Sequence, residues 1–191
     1  QDKREEYLDI IIKESQRLGN LSGNLLRLSS LENQVILERM TGFSLDELVR
    51  DTLLSLENGW NEKALELDLR LSEVEMTGDP ELIHLVMINL LGNAIKFSPY
   101  GGQLTVQVEQ LPGEEVHFSV TDQGKGMSQE VVEHIFEKFY QGDTLFKNQG
   151  NGLGLPIAKR VVELHHGQIQ VVSQRNVGTT FTVRIPLNPK A

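Results

Sequence analysis

The sequence predicts an α+β sandwich, in which helices cover a mixed β-sheet, preceded by a long N-terminal helix. Helical segments alternate with pairs of adjacent strands, which argues against a doubly wound parallel sheet. The residues from 3 to about 32 have a helical apolar pattern without proline. With 39% hydrophobic and 24% charged residues among 191, the chain has the composition of a protein with a real hydrophobic core.

Charge and residue types exclude several classes of function. A formal charge of −9 disfavours nonspecific binding to nucleic acid or anionic membranes, so we expect no nucleic-acid partner and no direct membrane contact. The lack of cysteine excludes disulfides, thiol catalysis and cysteine-based metal sites. No apolar run approaches the roughly 18 residues that span a bilayer, and no signal peptide opens the chain. Because the chain begins at Gln1, we expect a fragment of a longer protein.

The predicted N-terminal helix carries an apolar stripe. Leu8, Ile11, Leu18 and Leu25 lie close to heptad spacing. Such a stripe requires a partner, either another helix of the same domain or, in a helical bundle, another helix or another chain. The alternate heptad positions are serines, which argues against a pure coiled coil: Ser15, Ser22 and Ser29.

A second unit begins near Met40. Ser44 and Glu47 form a capping-box pattern, which predicts a helix to about Glu57. Leucines then alternate with other residues over 64–71, which predicts a half-buried strand. The elements predicted after it are a helix with Asp79 as N-cap and Pro80 at its first position, strands 103–109 and 115–121, a short helix from Ser128 to Phe136, a helix over 153–166 that stops at Gly167, and strands 168–173 and 179–186.

Three polar residues share one face of the helix that begins after Asp79. Asn89, Asn93 and Lys96 are spaced by four and three residues. Because buried amides must be hydrogen-bonded, two amides beside a cation indicate a line of donors and acceptors that faces a ligand. An amide oxygen suits Mg²⁺ and an ammonium suits a phosphate. The alternative is a polar stripe that faces solvent.

Asp122 follows a predicted strand, and Gly124 and Gly126 permit a tight turn after it. A carboxylate fixed at a strand end can accept a hydrogen bond from an exocyclic amine such as that of adenine, and it would repel the carbonyl of guanine. The segment therefore predicts a preference for ATP over GTP. The alternative is a plain Asp-Gly turn.

Gly150, Gly152 and Gly154 lead into the next helix, whose free N–H groups can receive phosphate. The pattern fits neither the dinucleotide-binding nor the P-loop signature, and the alternative is a flexible loop with an ordinary helix start. The preceding segment, "EKFYQGDTLFKNQ", indicates a mobile lid with Phe139 and Tyr140 as its anchor.

Taken in order, these segments resemble the ATP-binding catalytic domain of sensor histidine kinases of two-component systems. "NLLGNAIKFS" is similar to the N box of that family, "DQGKG" to its first glycine box, "FEKFY" to its F box, "GNGLGL" to its second glycine box and "GTTF" to its last. The resemblance covers about residues 41–187 and extends, more distantly, to type II topoisomerases, mismatch-repair ATPases and heat-shock chaperones. It implies the Bergerat fold, a two-layer sandwich whose mixed, mostly antiparallel sheet has helices on one face.

The resemblance also implies roles for individual residues. Asn89 would be the Mg²⁺ ligand, Asn93 and Lys96 would act near the phosphates as the catalytic residues, and Asp122 would bind the adenine amine with support from Thr179 through water. The other residues implied at the ATP site are Phe97, Gly124, Gly126, Tyr140, Gly150, Gly152, Leu153 and Gly154. Such kinases transfer the γ-phosphate of ATP to a histidine, from which it passes to an aspartate of a response-regulator receiver domain.

The N-terminal segment, which ends in "LSSLE", is similar to the second helix of the family's dimerisation and phosphoacceptor hairpin. We therefore expect residues 1–38 to be a partial dimerisation unit and residues 39–191 to be the catalytic domain. The full-length parent would be a homodimer through this helix, with a cytoplasmic catalytic part and an anchor in the bacterial membrane.

Two departures from the family pattern matter. No segment like "HELRTP" is present, and the five histidines are expected to be structural or solvent-facing, with imidazolium favourable for His165 and His166 at a helix end. Gln141 stands where family members often have arginine, so Lys138 or Lys147 is expected to supply the charge. The alternative functions are a nucleotide-gated interaction module without catalysis, or an anti-sigma-type serine kinase or ATPase of the same superfamily.

Overall fold

A computed structural model describes residues 2–37, 39–142 and 151–189, and its architecture is the predicted α+β sandwich. Its elements in chain order are α1 (Asp2–Asn33), β1 (Thr41–Ser44), α2 (Leu45–Ser55), α3 (Glu57–Glu62), β2 (Glu66–Leu71), β3 (Glu75–Gly78), α4 (Pro80–Phe97), β4 (Gln103–Leu111), β5 (Glu115–Asp122), α5 (Gln129–His134), α6 (Gly154–Leu164), β6 (Gln168–Gln174) and β7 (Gly178–Pro186).

The main sheet has five strands in the order β2-β4-β5-β7-β6. Strand β2 runs parallel to β4, and the other neighbouring strands are antiparallel. Strands β1 and β3 form a separate antiparallel pair. The predicted mixed, mostly antiparallel sheet is thus confirmed.

Helices cover one face of this sheet. Alternate residues of β4, namely Leu104, Val106 and Val108, are fully buried, whereas Thr105 and Gln107 on the opposite face are partly exposed. Helix α4 packs against α6 and β5, α2 packs against α4, and α1 packs against α6. The core therefore lies between the sheet and its helices, with α1 added outside α6.

The helix predicted after Ser44 is present as α2, but the capping box predicted at its start was wrong. The Ser44 hydroxyl donates to Asp46 Oδ1 at 2.7 Å and makes no capping hydrogen bond to the backbone of α2. The helix expected to reach Glu57 ends at Ser55, and a separate helix α3 follows it. Strands β1 and β3 were not predicted, because four residues are too few to show an alternating pattern.

The cap predicted at the start of α4 is present, whereas the stop predicted at the end of α6 differs in detail. At the start of α4, Asp79 Oδ1 accepts from the N–H groups of Glu81 and Leu82, which confirms the predicted cap. At the end of α6, His166 and not Gly167 has the left-handed conformation, with φ of 57°. Among the described residues, no helix is long and apolar enough to cross a membrane.

Candidate functional site

A cleft of about 840 Å³ lies between α4, the end of β5, the start of α6 and the turn between β6 and β7. The predicted site residues that line it are Asn89, Asn93, Lys96, Phe97, Asp122, Gly126, Tyr140, Gly152, Gly154 and Thr179. Gly124 and Leu153 lie behind the lining residues, and Gly150 falls outside the described residues, as does most of the expected lid. Five separate sequence segments therefore converge on one cleft.

Helix α4 supplies the polar wall of the cleft. Asn89, Asn93 and Lys96 line it together with Ile88 and Gly92, while Leu90 and Leu91 on the other side are fully buried in the core. The polar stripe of α4 therefore lines the cleft and is not the plain solvent-facing stripe of the alternative. One helix serves both purposes because its polar and apolar residues lie on different faces.

The amide of Asn89 is oriented by the backbone. Its Nδ2 donates to the Leu85 carbonyl at 2.8 Å, which leaves Oδ1 turned towards the start of α6. A Cβ at position 154 would overlap this oxygen, so only glycine allows α6 to begin so close to it. An amide oxygen and the free N–H groups of a helix start thus face the same space.

Asp122 is a buried carboxyl at the end of β5. It lies opposite Thr179 of β7 and accepts hydrogen bonds from the N–H groups of Gly124, at 2.8 Å, and Thr179. Burial raises the pKa of Asp122 above its ordinary value, although both N–H groups stabilise the charged form. The site therefore holds a hydrogen-bond acceptor in a fixed position at low exposure.

Thr179 contacts its neighbours through two groups. Its N–H group donates a hydrogen bond to the carboxyl of Asp122, and its hydroxyl lies 2.8 Å from the Ser173 hydroxyl. Ser173 also accepts from the Met127 N–H at 2.9 Å and donates to the Gly178 carbonyl. Sequence analysis did not single out Ser173, although it connects the loop after Asp122 to strands β6 and β7.

Three glycines permit close backbone contacts around the cleft. A Cβ at position 124 would lie 2.5 Å from the Phe97 carbonyl oxygen. Gly126 has φ of 58°, and a Cβ there would overlap the Gln174 carbonyl. Gly152 has φ of 67° and accepts a hydrogen bond from the Phe139 N–H at 2.9 Å. The predicted glycine boxes are thus places where backbone meets backbone.

Leu153 and Tyr140 support the cleft in different ways. The Leu153 side chain is fully buried in the core, so it anchors the second glycine loop and does not reach the ligand space. Tyr140 lines the cleft, and its ring centroid lies 5.4 Å from that of His134. The F box is therefore attached to α5 on one side and to Gly152 on the other.

Of the two lysines expected to supply the missing charge, only Lys138 is among the described residues. Lys138 forms an ion pair with Glu32 of α1 at 2.5 Å and does not line the cleft, and Lys147 falls outside the described residues. Residues that sequence analysis missed do line it: Asn24, Lys125, Arg175 and Asn176. The lysine of "DQGKG" itself was the signal that could have revealed Lys125.

The histidines have the structural roles that were expected. His84 is hydrogen-bonded to Thr52, His117 is hydrogen-bonded to Glu109, and His134 is hydrogen-bonded to Glu137. His165 is fully buried: its Nδ1 donates to the Val161 carbonyl, and its Nε2 accepts from the Asp79 N–H at 3.1 Å. Burial lowers the pKa of His165, so the suggested imidazolium at this position was wrong.

Comparison with known proteins agrees with this geometry. Residues 78–189 match the family described as histidine kinase-, DNA gyrase B- and HSP90-like ATPase. The heme sensor protein HssS of Staphylococcus saprophyticus is 38% identical over 187 residues, which are 98% of this chain and 40% of that protein. The chain thus spans less than half the length of the curated relatives that it matches.

Two solved structures are similar. Full-length ShkA, crystallised with AMPPNP, superposes with a TM-score of 0.84 over 99% of this chain and 40% of its own; at 24% identity it supports the fold. Histidine kinase ThkA, in complex with the response regulator TrrA, has a TM-score of 0.76 and 25% identity over 96% of this chain and 51% of its own.

The family match covers more than half of the chain and includes both strands that hold Asp122 and Thr179. The curated relatives and the histidine kinase structures agree with it over nearly the whole chain. The chain belongs to the histidine kinase-, DNA gyrase B- and HSP90-like ATPase family, and it is similar over nearly its whole length to the heme sensor protein HssS and to histidine kinase ThkA.

Proposed function

We propose that this domain binds Mg-ATP in the cleft and transfers the γ-phosphate to a histidine of a phosphoacceptor helix, for relay to a response-regulator receiver domain. The observation that supports this proposal is the convergence, in one cleft, of the polar face of α4 with the buried carboxyl of Asp122 and two glycine loops.

The residues divide the work by chemistry. Asp122 is the acceptor for the adenine amine, and its fixed position excludes a base that presents a carbonyl there. Asn93 and Lys96 hold and neutralise the phosphates, and the N–H groups at the start of α6 provide further donors. Phosphoryl transfer consists largely of positioning and charge neutralisation, so no covalent role is needed from these side chains.

The described lining of the cleft has few of the protein ligands that a metal ion would need. Among the residues that the structure describes, no group of three or more histidines, carboxylates or cysteines could hold a metal ion. The amide oxygen of Asn89 lies beside the start of α6, in the lining of the cleft. This arrangement suits a Mg²⁺ ion that takes most of its ligands from phosphates and water. When bound, such an ion supplies charge neutralisation at the phosphates.

Two partners are proposed, one from the exposed apolar residues of α1 and one from a similar protein. We propose that α1 pairs with a second copy of the chain, because its apolar residues Ile11, Leu18 and Leu25 are about half to two-thirds exposed. A response regulator is proposed because ThkA was solved in complex with one. An anchor in the membrane would belong to the parent protein.

Nucleotide titration tests the proposal most directly. We expect calorimetry to show binding of ATP but not GTP, dependence on Mg²⁺, and at least about tenfold weaker binding by Asp122→Asn, which loses the ionic acceptor. Asp51→Asn, at an exposed position of α2, is the matched control. If folded protein binds neither nucleotide, the cleft does not have this function.

A second experiment separates the kinase from the alternatives. Phosphate from labelled ATP should transfer to a supplied histidine-bearing hairpin, and acid-labile, base-stable label would identify phosphohistidine. Label on serine would support the serine kinase alternative. Tight ATP binding without transfer to any of several hairpins would favour the nucleotide-gated interaction module.

A further inference from the structure

Two lysines from different elements lie against the same aromatic ring. The Nζ of Lys96, in the last turn of α4, is 4.6 Å from the Phe97 ring centroid, and the Nζ of Lys125, in the loop after β5, is 5.2 Å from it. All three residues line the cleft. Ammonium groups are attracted to aromatic faces at such distances, so Phe97 positions both.

The loop that carries Lys125 is held on both sides. The Lys125 carbonyl accepts from the Asn176 N–H at 2.7 Å, and the Met127 N–H donates to Ser173 at 2.9 Å. Between them Gly126 takes a left-handed conformation against the Gln174 carbonyl. Lys125 is therefore half-buried on a fixed loop, whereas Arg175, also in the lining, is exposed on a turn.

The cleft is lined mainly by positive charges, although the chain as a whole is negatively charged. The protein has a formal charge of −9, yet the described lining residues include three cations, Lys96, Lys125 and Arg175, and one carboxylate, that of Asp122. Desolvation and then the charge of Lys125 lower the pKa of Lys96. An anion placed near both ammonium groups would relieve their repulsion.

We propose that Lys125 is a ligand-binding residue that pairs with Lys96, across Phe97, to bind the phosphate chain of the nucleotide. It supplies the cation that Gln141 does not. This inference rests on the proposed function and makes it more specific, because the second cation comes from the first glycine box. Two ammonium groups near one site favour ligands with more phosphates, because the attraction grows with the negative charge of the ligand.

The test compares adenosine, AMP, ADP and ATP by calorimetry in wild type, Lys125→Met and Lys125→Arg. We expect Lys125→Met to weaken ATP binding about tenfold and to leave adenosine binding within about twofold, and Lys125→Arg to retain most ATP affinity. Lys159→Met is the matched control, because Lys159 also lies over an aromatic ring, that of Phe136 at 5.6 Å, but outside the described cleft lining.

A second readout does not depend on nucleotide. Lysine side-chain NMR should show that the pKa of Lys96 rises in Lys125→Met, because a neighbouring positive charge has been removed. ATP affinity within twofold of wild type, or an equal loss for adenosine and ATP, would overturn the inference while the proposed function stands. If wild type binds neither adenosine nor ATP, the proposed function fails and the inference fails with it.

Discussion

Helices α4 and α1 differ in what covers their apolar residues. In α4, which has 18 residues, Leu90 and Leu91 have 0% exposure, and the polar face lines the cleft. In α1, which has 32 residues, Leu18 is 65% exposed, and among its described side chains the buried apolar ones, Leu28 and Leu31, belong to the last turns. The apolar face of α4 is therefore covered by this chain, whereas the described residues leave most of the apolar face of α1 exposed.

The end of α1 is held where it meets the ATPase domain. Arg160 of α6 donates to the carbonyls of Leu31, at 3.0 Å, and Gln34, at 2.6 Å. Asn24, two turns earlier, lines the cleft. A cation at the carboxyl end of a helix is favourable to the helix dipole. Helix α1 therefore contacts the ATPase domain through its last turns and presents the rest of its length outward.

The largest effect is expected from shortening one leucine side chain to alanine in each of the two helices. Leu90→Ala should cost about 2–5 kcal/mol of unfolding free energy, because it leaves a cavity in the core. Leu18→Ala should cost less than about 0.5 kcal/mol in the monomer. Urea denaturation measures both. An equal loss in the two variants would mean that α1 is buried as fully as α4.

A smaller effect is expected at the junction between α1 and α6. Arg160→Met removes two charge-assisted hydrogen bonds and should cost about 1 kcal/mol, since the Arg160 side chain is 29% exposed. Amide exchange should accelerate in residues 28–34 and stay unchanged in α4. Arg50→Met, which removes a 3.9 Å ion pair on α2, is the control. Equal acceleration in α4 would show that the two helices unfold as one unit.

Acidification should act on the α4 side of the molecule. His165 is neutral and buried and accepts from the Asp79 N–H at the start of α4. Because its pKa in the folded state lies below the ordinary value of 6.5, the unfolded chain binds more protons in acid. Stability should be fully present above about pH 6.5 and decline as the pH falls towards the folded-state pKa.

The decline should be about 1 kcal/mol between pH 7.5 and 5.5, and smaller in His165→Asn. Thermal unfolding at several pH values measures it. His134 works in the opposite direction, because its hydrogen bond to Glu137 raises its pKa, so the variant is needed for attribution. If His165→Asn and wild type have parallel pH profiles, His165 does not cause the decline.

The smallest effect concerns the ion pair between Lys138 and Glu32. Both side chains are nearly half exposed, so their coupling free energy should be at most about 0.5 kcal/mol and should vanish in high salt. A double-mutant cycle with Lys138→Met and Glu32→Gln measures it. A coupling above about 1.5 kcal/mol that survives high salt would mean that this pair, and not Arg160, holds α1 to the ATPase domain.

Local sequence patterns were sufficient to predict features that depend only on the geometry of a single helix. Asp79 before Pro80 predicted a capped helix, and the spacing of Asn89, Asn93 and Lys96 predicted a shared face, because both depend only on helix geometry. The capping box at Ser44 failed because Asp46 competes for the same hydroxyl, which sequence spacing does not reveal. Strands β1 and β3 were missed because each has only four residues and pairs with a segment about 30 residues away along the chain.

The sequence by itself determined the fold class, the order of most elements and the residue types of the cleft, since periodicity, caps and glycine turns are local properties. Only the tertiary structure decided which cations line the cleft. Lys138 turns to Glu32, and Lys125 meets Phe97. The physical reason is that a long flexible side chain contacts whatever charge or ring the fold brings within reach, and that distance depends on chain segments far apart in sequence.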